Sequence, residues 1–241
     1  MKIRGMAHRG DPVRAPGNTL SALRAACGRS FTHVEFDVHL SKDGIPVVAH
    51  DYTIDRESDG TGKVKDYTVA ELKQFRIGDS DTFPTLEEAL HLLKGQFDEL
   101  VIELKQAGDL YQGLESRTLE VVKRTGTLAE SRIISSDHFC LAEVRRLDPD
   151  IKLGAICGGS LSTIFGFMRE IGCDLIIFNS GYLNSDMETQ MKENGIIYSP
   201  QVIDCLEDMR AIAAKYPSAL VSTNQLDRWA EFYRNHPELH G

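Results

Sequence analysis

Short apolar runs alternate along this chain with segments whose apolar positions recur every three or four residues, the pattern of a parallel sheet wrapped by helices. The apolar runs predict eight strands, at about 3–8, 33–38, 100–104, 132–136, 151–156, 174–178, 195–199 and 218–223. Helical periodicity covers about 20–28, 110–125, 138–147, 160–171, 185–194 and 204–216. Two more helix starts, near 69 and 86, are marked by Thr68-Val69-Ala70-Glu71 and Thr85-Leu86-Glu87-Glu88, each a threonine with a glutamate three residues on. Eight strands alternating with helices in 241 residues predict an α/β fold, a TIM (β/α)8 barrel. No linker, low-complexity run or repeat divides the chain, so 1–241 reads as one domain. The stretch from about 51 to 84, with Gly60, Gly62 and many charges, reads as a small insertion over the barrel mouth.

Residues 33–51, HVEFDVHLSKDGIPVVAHD, carry a second pattern. Glu35 and Asp37 are two apart and share one face of a strand, while Val34, Phe36 and Val38 share the other. Asp43-Gly44 is a hairpin signal, and a two-residue turn there folds Ile45–Asp51 back antiparallel and sets His50 opposite Asp37. Pro46–Ala49 is the return arm rather than a further barrel strand, because the residues after Val38 are too few for a parallel crossover.

Barrel enzymes place their chemistry at the C-terminal ends of the strands, where this chain concentrates polar groups. His8 and Arg9 end the first strand, Glu35 and Asp37 the second with His50 beside them, and Glu103 and Lys105 the third. A parallel barrel is covered on both faces, so inward carboxylates must pair with cations or bind metal. A structural ion-pair cluster and a metal site both meet that demand. Three hard oxygen ligands, Glu35, Asp37 and Glu103, favour Mg²⁺ or Ca²⁺ over zinc. His8 and His50 supply a general acid and a general base, as phosphate-ester cleavage requires, and Arg9 and Lys105 suit phosphate oxygens.

The net charge of -9 argues against a nucleic-acid partner but leaves open a small anionic substrate. Five cysteines without metal-ligand or redox spacing point to a reducing compartment. The opening MKIRGMAHRG has no apolar core of a signal peptide, and no apolar run reaches the length of a membrane span, so a cytoplasmic protein is expected. Nothing in the pattern bears on oligomeric state.

The segments HRG (8–10), P-x-N-T (Pro16, Asn18, Thr19), EFDV (35–38), SKDG-x-P-V-V-x-HD (41–51), R-x-x-x-G-x-G (Arg56 to Gly62), PTLEEAL (84–90) and IELK (102–105) together resemble the glycerophosphodiester phosphodiesterases. The resemblance implies a TIM barrel, a divalent cation on Glu35, Asp37 and Glu103, and catalysis by His8 and His50. It implies hydrolysis of deacylated phospholipid head groups to an alcohol and glycerol 3-phosphate, with the free glycerol hydroxyl as internal nucleophile and a cyclic phosphate between. Four departures stand out. Gly17 replaces a usual glutamate and removes a contact near Arg9. Ser136-Asp137 replaces a serine-phenylalanine pair, Tyr198-Ser199-Pro200-Gln201 replaces W-T-V-N, and Thr223-Asn224 replaces T-D. These changes make Tyr198 and Asp137 candidates for an altered far wall of the pocket. Other readings are a relative that acts on lysophospholipids or another phosphodiester and leaves a cyclic product, a non-catalytic phosphodiester-binding relative, and an unrelated barrel enzyme such as an aldolase or isomerase. Phe75, Phe83 and Tyr52 are the candidates for lipid contact. An aldolase or isomerase leaves the EFD and IELK spacing without a purpose.

Overall fold

The computed structural model describes residues 1–240. In chain order it runs β1 (Ile3–His8), α1 (Leu20–Ala26), β2 (Phe31–Leu40), β3 (Pro46–Val48), α2 (Val69–Leu72), α3 (Leu86–Leu93), β4 (Glu99–Leu104), α4 (Leu114–Thr125), β5 (Ser131–Ser135), α5 (His138–Leu147), β6 (Lys152–Cys157), α6 (Ile164–Ile171), β7 (Leu175–Phe178), α7 (Ser185–Glu193), β8 (Ile197–Pro200), α8 (Leu206–Lys215), β9 (Ser222–Thr223) and α9 (Leu226–Arg234). Eight parallel strands follow the order β8-β7-β6-β5-β4-β2-β1-β9, and β3 lies antiparallel on β2. The seam between β8 and β9 has no ladder. It is bridged by Leu220 N donating to Tyr198 O at 2.9 Å and Ile203 N donating to Ser222 O at 2.8 Å, so the TIM barrel is nearly closed.

Alternation along the strands builds two apolar layers. Outward residues such as Val34, Phe36, Ile102, Leu104 and Ile133 pack beneath the helices, while Met6, Val101, Ile134, Leu175, Ile177 and Leu220 form a separate plug inside the barrel. Thr68 and Thr85 each close both bonds of a capping box at the starts of α2 and α3. The insertion has its own small core of Val47, Ile54, Val64, Leu72, Ile77 and Phe83. No helix among the described residues is long and apolar enough to cross a membrane.

Two expectations change. The hairpin closes through a three-residue loop, Lys42-Asp43-Gly44, with Ser41 N donating to Ile45 O at 3.0 Å and Gly44 at φ 74°. That adds a residue to the turn and moves the register by one: Val38 pairs with Val48, and Ala49 rather than His50 meets Asp37, its N–H donating to Asp37 O at 3.2 Å. The last strand is followed by a helix that was not among those expected, α9. Its apolar positions Leu226, Trp229, Ala230 and Tyr233 do recur at helical spacing, and Trp229 fixes the docking: it is buried, donates to Arg4 O at 2.9 Å and lies where any side chain at Gly5 would strike it.

Below the plug, at the N-terminal ends of the strands, an ionic floor closes the barrel. Arg132, only 2% exposed, holds Glu99 at 2.7 Å, donates to Leu153 O at 2.8 Å and also pairs with Asp174. Lys152 meets Glu99 at 2.6 Å and His33 lies 3.6 Å from it. Burial works to raise the Glu99 carboxyl, but His33, Arg132 and Lys152 outweigh it and hold the group well below the usual carboxylate range. A carboxyl depressed in the folded state stabilises the fold above its unfolded value of about 4.3, and that contribution is lost as the pH falls. Glu99→Gln should therefore cost about 3 kcal/mol of unfolding free energy at pH 7, with the gap from the parent closing toward pH 3. Urea melts across that pH range check both statements.

Candidate active site

The site is assembled by strand register. His8 lies beside Glu35 across β1 and β2, and Asp37 lies beside Glu103 across β2 and β4. Because inward residues alternate, the carboxylates stand on the mouth side of the apolar plug, in the same columns as the floor residues His33 and Glu99. The turn after β1 is tight: Arg9 (φ 58°) and Gly10 (φ 84°) are both left-handed, and a Cβ on Gly10 would sit 2.6 Å from the Ala22 backbone. This turn brings the Arg9 N–H to Glu35 Oε2 at 3.1 Å.

Asp37, 1% exposed, is the most heavily tied group. Lys105 Nζ lies 2.8 Å from its Oδ1, Arg9 Nε lies 3.4 Å from its Oδ2, and Asn18 donates to Oδ2 at 2.7 Å while accepting from Asp37 N at 3.2 Å. Lys105 also meets Glu103 at 2.7 Å. Burial alone would raise Asp37, but Lys105 and Arg9 prevail and hold it at about 2. Lys105 is shifted in turn: burial lowers it, and Asp37 and Glu103 raise it above its ordinary value. Glu35 is left with too little compensation. It is 2% exposed, burial and then the charges of Asp37 and Glu103 push it well above the usual range, and its Oε1 is buried without a hydrogen-bond partner. Glu103 is pushed up to about 7 by burial and by Asp37. Oxygens of Glu35, Asp37 and Glu103 all lie within 4.8 Å of one another, the spacing of a cation site.

His8 points its Nε2 toward Glu35 Oε2 at 3.8 Å, and its Nδ1 meets Asn224 Oδ1 at 2.8 Å. Burial and Arg9 lower its imidazole to about 4. His50 arrives from the hairpin. Its N–H donates to Glu57 at 3.1 Å, its carbonyl accepts from His39 Nε2 at 3.1 Å, and its Nδ1 meets Asp51 Oδ1 at 2.8 Å, with Arg56 on the far oxygen of Asp51 at 2.8 Å. His39 is fully buried and takes its other bond from Tyr111 OH at 2.7 Å. Burial lowers His50, as do Lys105 and Arg9, against the pull of Asp37. His50, Asp51 and Glu57 form a second close acidic group, but Arg56 and two backbone N–H groups already occupy its carboxylates.

A cavity of about 580 Å³ opens over the barrel end, with His8, Arg9, Glu35 and Glu103 on one side and Gln201 and Ile203 on the other. Two residues expected on its wall lie elsewhere. Tyr198 is turned outward into the helix layer against Phe178 and Tyr216, because the residue before Ser199 on β8 faces away from the barrel axis. Asp137 caps α5, accepting from Phe139 and Cys140 N–H, and accepts from Gly108 N at 2.7 Å, so its carboxylate is spent on backbone. Phe83 is buried and Phe75 packs against the same insertion core, leaving Tyr52, 43% exposed, as the one aromatic of that group at the surface. Position 17 does sit beside Arg9: a Cβ there would lie 3.1 Å from Arg9 Cβ, and Arg9 Nε has no hydrogen-bond partner. Sequence reasoning gave no role to Asn18, His39, Asp51, Glu57 or Asn224. Asn18, Asp51 and Glu57 lay inside quoted motifs and Asn224 in a quoted departure, but what each bonds to becomes visible only in the folded chain.

Comparison with known proteins agrees with this geometry. Residues 8–163 match the model of the glycerophosphoryl diester phosphodiesterase family. A glycerophosphodiester phosphodiesterase of Caldanaerobacter subterraneus subsp. tengcongensis is 33% identical over 221 residues, covering 87% of this chain and 89% of the relative. Among solved structures, an Oleispira antarctica phosphodiesterase in complex with the product sn-glycerol-3-phosphate superposes with TM-score 0.88 at 26% identity over 95% of each chain. The glycerophosphodiester phosphodiesterase of Thermotoga maritima, 22% identical, shares the fold at TM-score 0.78 over 96% of this chain and 99% of its own. The matched span runs from His8 at the end of β1 through β6 and includes both histidines and all three carboxylates of the mouth, so the chain belongs to the glycerophosphoryl diester phosphodiesterase family.

Proposed function

We propose that this protein hydrolyses glycerophosphodiesters to an alcohol and glycerol 3-phosphate, with Mg²⁺ or Ca²⁺ held by Glu35, Asp37 and Glu103 and with His8 and His50 as the proton-transfer pair. The observation that carries the reading is the buried, unpartnered Oε1 of Glu35 inside a close triad of carboxylates. A buried carboxylate oxygen with no donor is costly unless a ligand completes it, and this one lines the cavity. The donor set is all oxygen, which suits a hard divalent cation, and when bound that cation supplies charge to offset the negative charge growing on the phosphate. The family relative with sn-glycerol-3-phosphate in its structure supports the substrate class.

The chain's own groups then have distinct tasks. The glycerol hydroxyl next to the phosphate attacks phosphorus while one imidazole takes its proton; the other imidazole protonates the departing alkoxide, releasing the alcohol. Water opens the resulting cyclic phosphate with the two roles exchanged. Holding hydroxyl and phosphate in one cavity makes the first attack intramolecular, with its large gain in effective concentration. Arg9 can reach a phosphate oxygen through the guanidinium nitrogens that Asp37 does not engage, and Lys105 has a third N–H beyond those facing Asp37 and Glu103.

His8→Ala and His50→Ala should each lower glycerol 3-phosphate release from glycerophosphodiesters by roughly 10²- to 10⁴-fold with the circular-dichroism spectrum unchanged. Parent-like turnover in either variant would remove that histidine from the scheme. Folded, cation-loaded protein that binds glycerophosphodiesters without releasing product would point instead to a binding protein.

The raised carboxyls set a pH dependence for cation binding. In ion-free protein Glu35 and Glu103 (about 7) hold protons more tightly than in the unfolded chain, so stability declines as the pH rises through that range. A cation must displace those protons, which becomes easier over the same interval. The rise in melting temperature on adding millimolar Mg²⁺ or Ca²⁺ should therefore be larger at about pH 8 than at about pH 5.5, and should vanish in Glu35→Gln. An equal rise at both pH values, or one that survives Glu35→Gln, would place the ion elsewhere.

A further inference from the structure

His8 is not backed by a carboxylate. Its Nδ1 meets the amide oxygen of Asn224 at 2.8 Å, and behind that amide stands Asp204. The Asp204 carboxylate is gripped from several sides: Oδ1 accepts from Asn224 N at 2.7 Å and from Thr223 Oγ1 at 3.0 Å, and Oδ2 accepts from Asn224 Nδ2 at 2.8 Å. Arg228 anchors the same residue through its carbonyl at 2.5 Å. We infer that Asp204 and Asn224 are positioning residues that hold His8 in its Nδ1–H tautomer, leaving the Nε2 lone pair turned toward the Glu35 side of the cavity. The inference rests on the reading of His8 as a proton-transfer group.

Donor and acceptor sense fixes the tautomer. An ionised carboxylate only accepts, so the NH₂ end of Asn224 must face Asp204. The oxygen end of the amide then faces His8, and an amide oxygen also only accepts. A neutral His8 can satisfy it only by carrying its proton on Nδ1; the other tautomer would set two lone pairs against each other at 2.8 Å. Nε2, 3.8 Å from Glu35 Oε2 and beside the cavity, is thereby the ring atom left to accept a proton from substrate. The three residues also span the open seam of the barrel. Asp204 follows β8 and Asn224 follows β9, so their side-chain bonds stand where the strand ladder is missing, while the bond to His8 continues onto β1, which ladders with β9. His50 is built differently, with the Asp51 carboxylate directly on its Nδ1 and Arg56 behind. The sequence departure at Thr223-Asn224 thus has a counterpart in space: the negative charge stands one residue farther from the imidazole, with a neutral amide between.

The test uses Asn224→Ala, Asp204→Asn and the exchanged pair Asp204→Asn/Asn224→Asp in the full chain. Each single variant should lower kcat for glycerol 3-phosphate release by about 10- to 100-fold with KM changed less than about 2-fold. The exchanged pair should recover most of the kcat lost in Asp204→Asn, because a carboxylate at 224 still accepts from Nδ1–H and an amide at 204 still donates to it; a bond that only ties the seam would leave the His8 tautomer unmoved in every variant. Two-bond ¹H–¹⁵N correlation spectra of the neutral imidazole, assigned by the signals missing in His8→Ala, should show Nδ1–H in the parent and the exchanged pair and lose that preference in Asn224→Ala. An Nε2–H tautomer in the parent, or single variants within about 2-fold of parental kcat, would overturn the assignment. The spectra need no turnover: Nδ1–H in a parent that releases no product would sink the hydrolase reading and leave the positioning role standing.

Discussion

The site depends on how one buried carboxylate is kept charged. Asp37 sits almost without solvent among two other acids, where an isolated ionised carboxylate would take up a proton rather than stay charged. Lys105, Arg9 and both ends of the Asn18 amide converge on it instead. Those groups come from three separate segments, so their agreement holds the HRG turn, the P-x-N-T loop and β4 in one arrangement. With the available positive charge spent there, Glu35 and Glu103 remain under-compensated. The mouth thus carries an uneven distribution of charge: one acid is satisfied by the protein, and two are left with raised affinity for protons.

The barrel interior shows why such a cluster can be tolerated. Charge is confined to its two ends, and the plug of Met6, Val101, Ile134, Leu175, Ile177 and Leu220 separates them. The floor around Arg132 and Glu99 is balanced and inert, its carboxyl held low; the mouth is unbalanced, with two carboxyls held high. Identical strands therefore carry opposite electrostatic situations a few residues apart, because side chains two positions along a strand share a face but not a depth. A close-packed plug also fixes strand register, and through it the spacing of groups at the mouth.

The two histidines reach this mouth by unlike routes. His8 is a strand residue, set by the β1–β2 register and oriented through Asn224 from the far side of the seam. His50 is carried by a hairpin, and its backbone is clamped from both sides, by Glu57 at the N–H and His39 at the carbonyl. The buried His39 therefore belongs to the support of the site rather than to the core alone. Unlike partners on otherwise similar imidazoles are a common means of separating acid and base roles in one cavity.

Local pattern alone determined a great deal here. Strand alternation sorted Glu35, Asp37 and Glu103 from Val34, Phe36, Ile102 and Leu104; threonine–glutamate spacing marked the starts of α2 and α3; and the count of alternating elements led to a barrel. These features are legible because they depend on neighbours within a few residues, through hydrogen bonds and side-chain direction. Tertiary structure decided the rest. The three-residue turn at Gly44 moved His50 off Asp37 by one position, since turn geometry and not the dipeptide sets register. Outward rotation took Tyr198 from the pocket, and helix capping consumed Asp137. Asp204 met Asn224 across the open seam between β8 and β9, and Asn224 met His8 where β9 pairs with β1. No local rule reports such a meeting, because Asp204 and Asn224 stand 20 residues apart and Asn224 and His8 216 apart, and only the closed barrel brings them within hydrogen-bond distance.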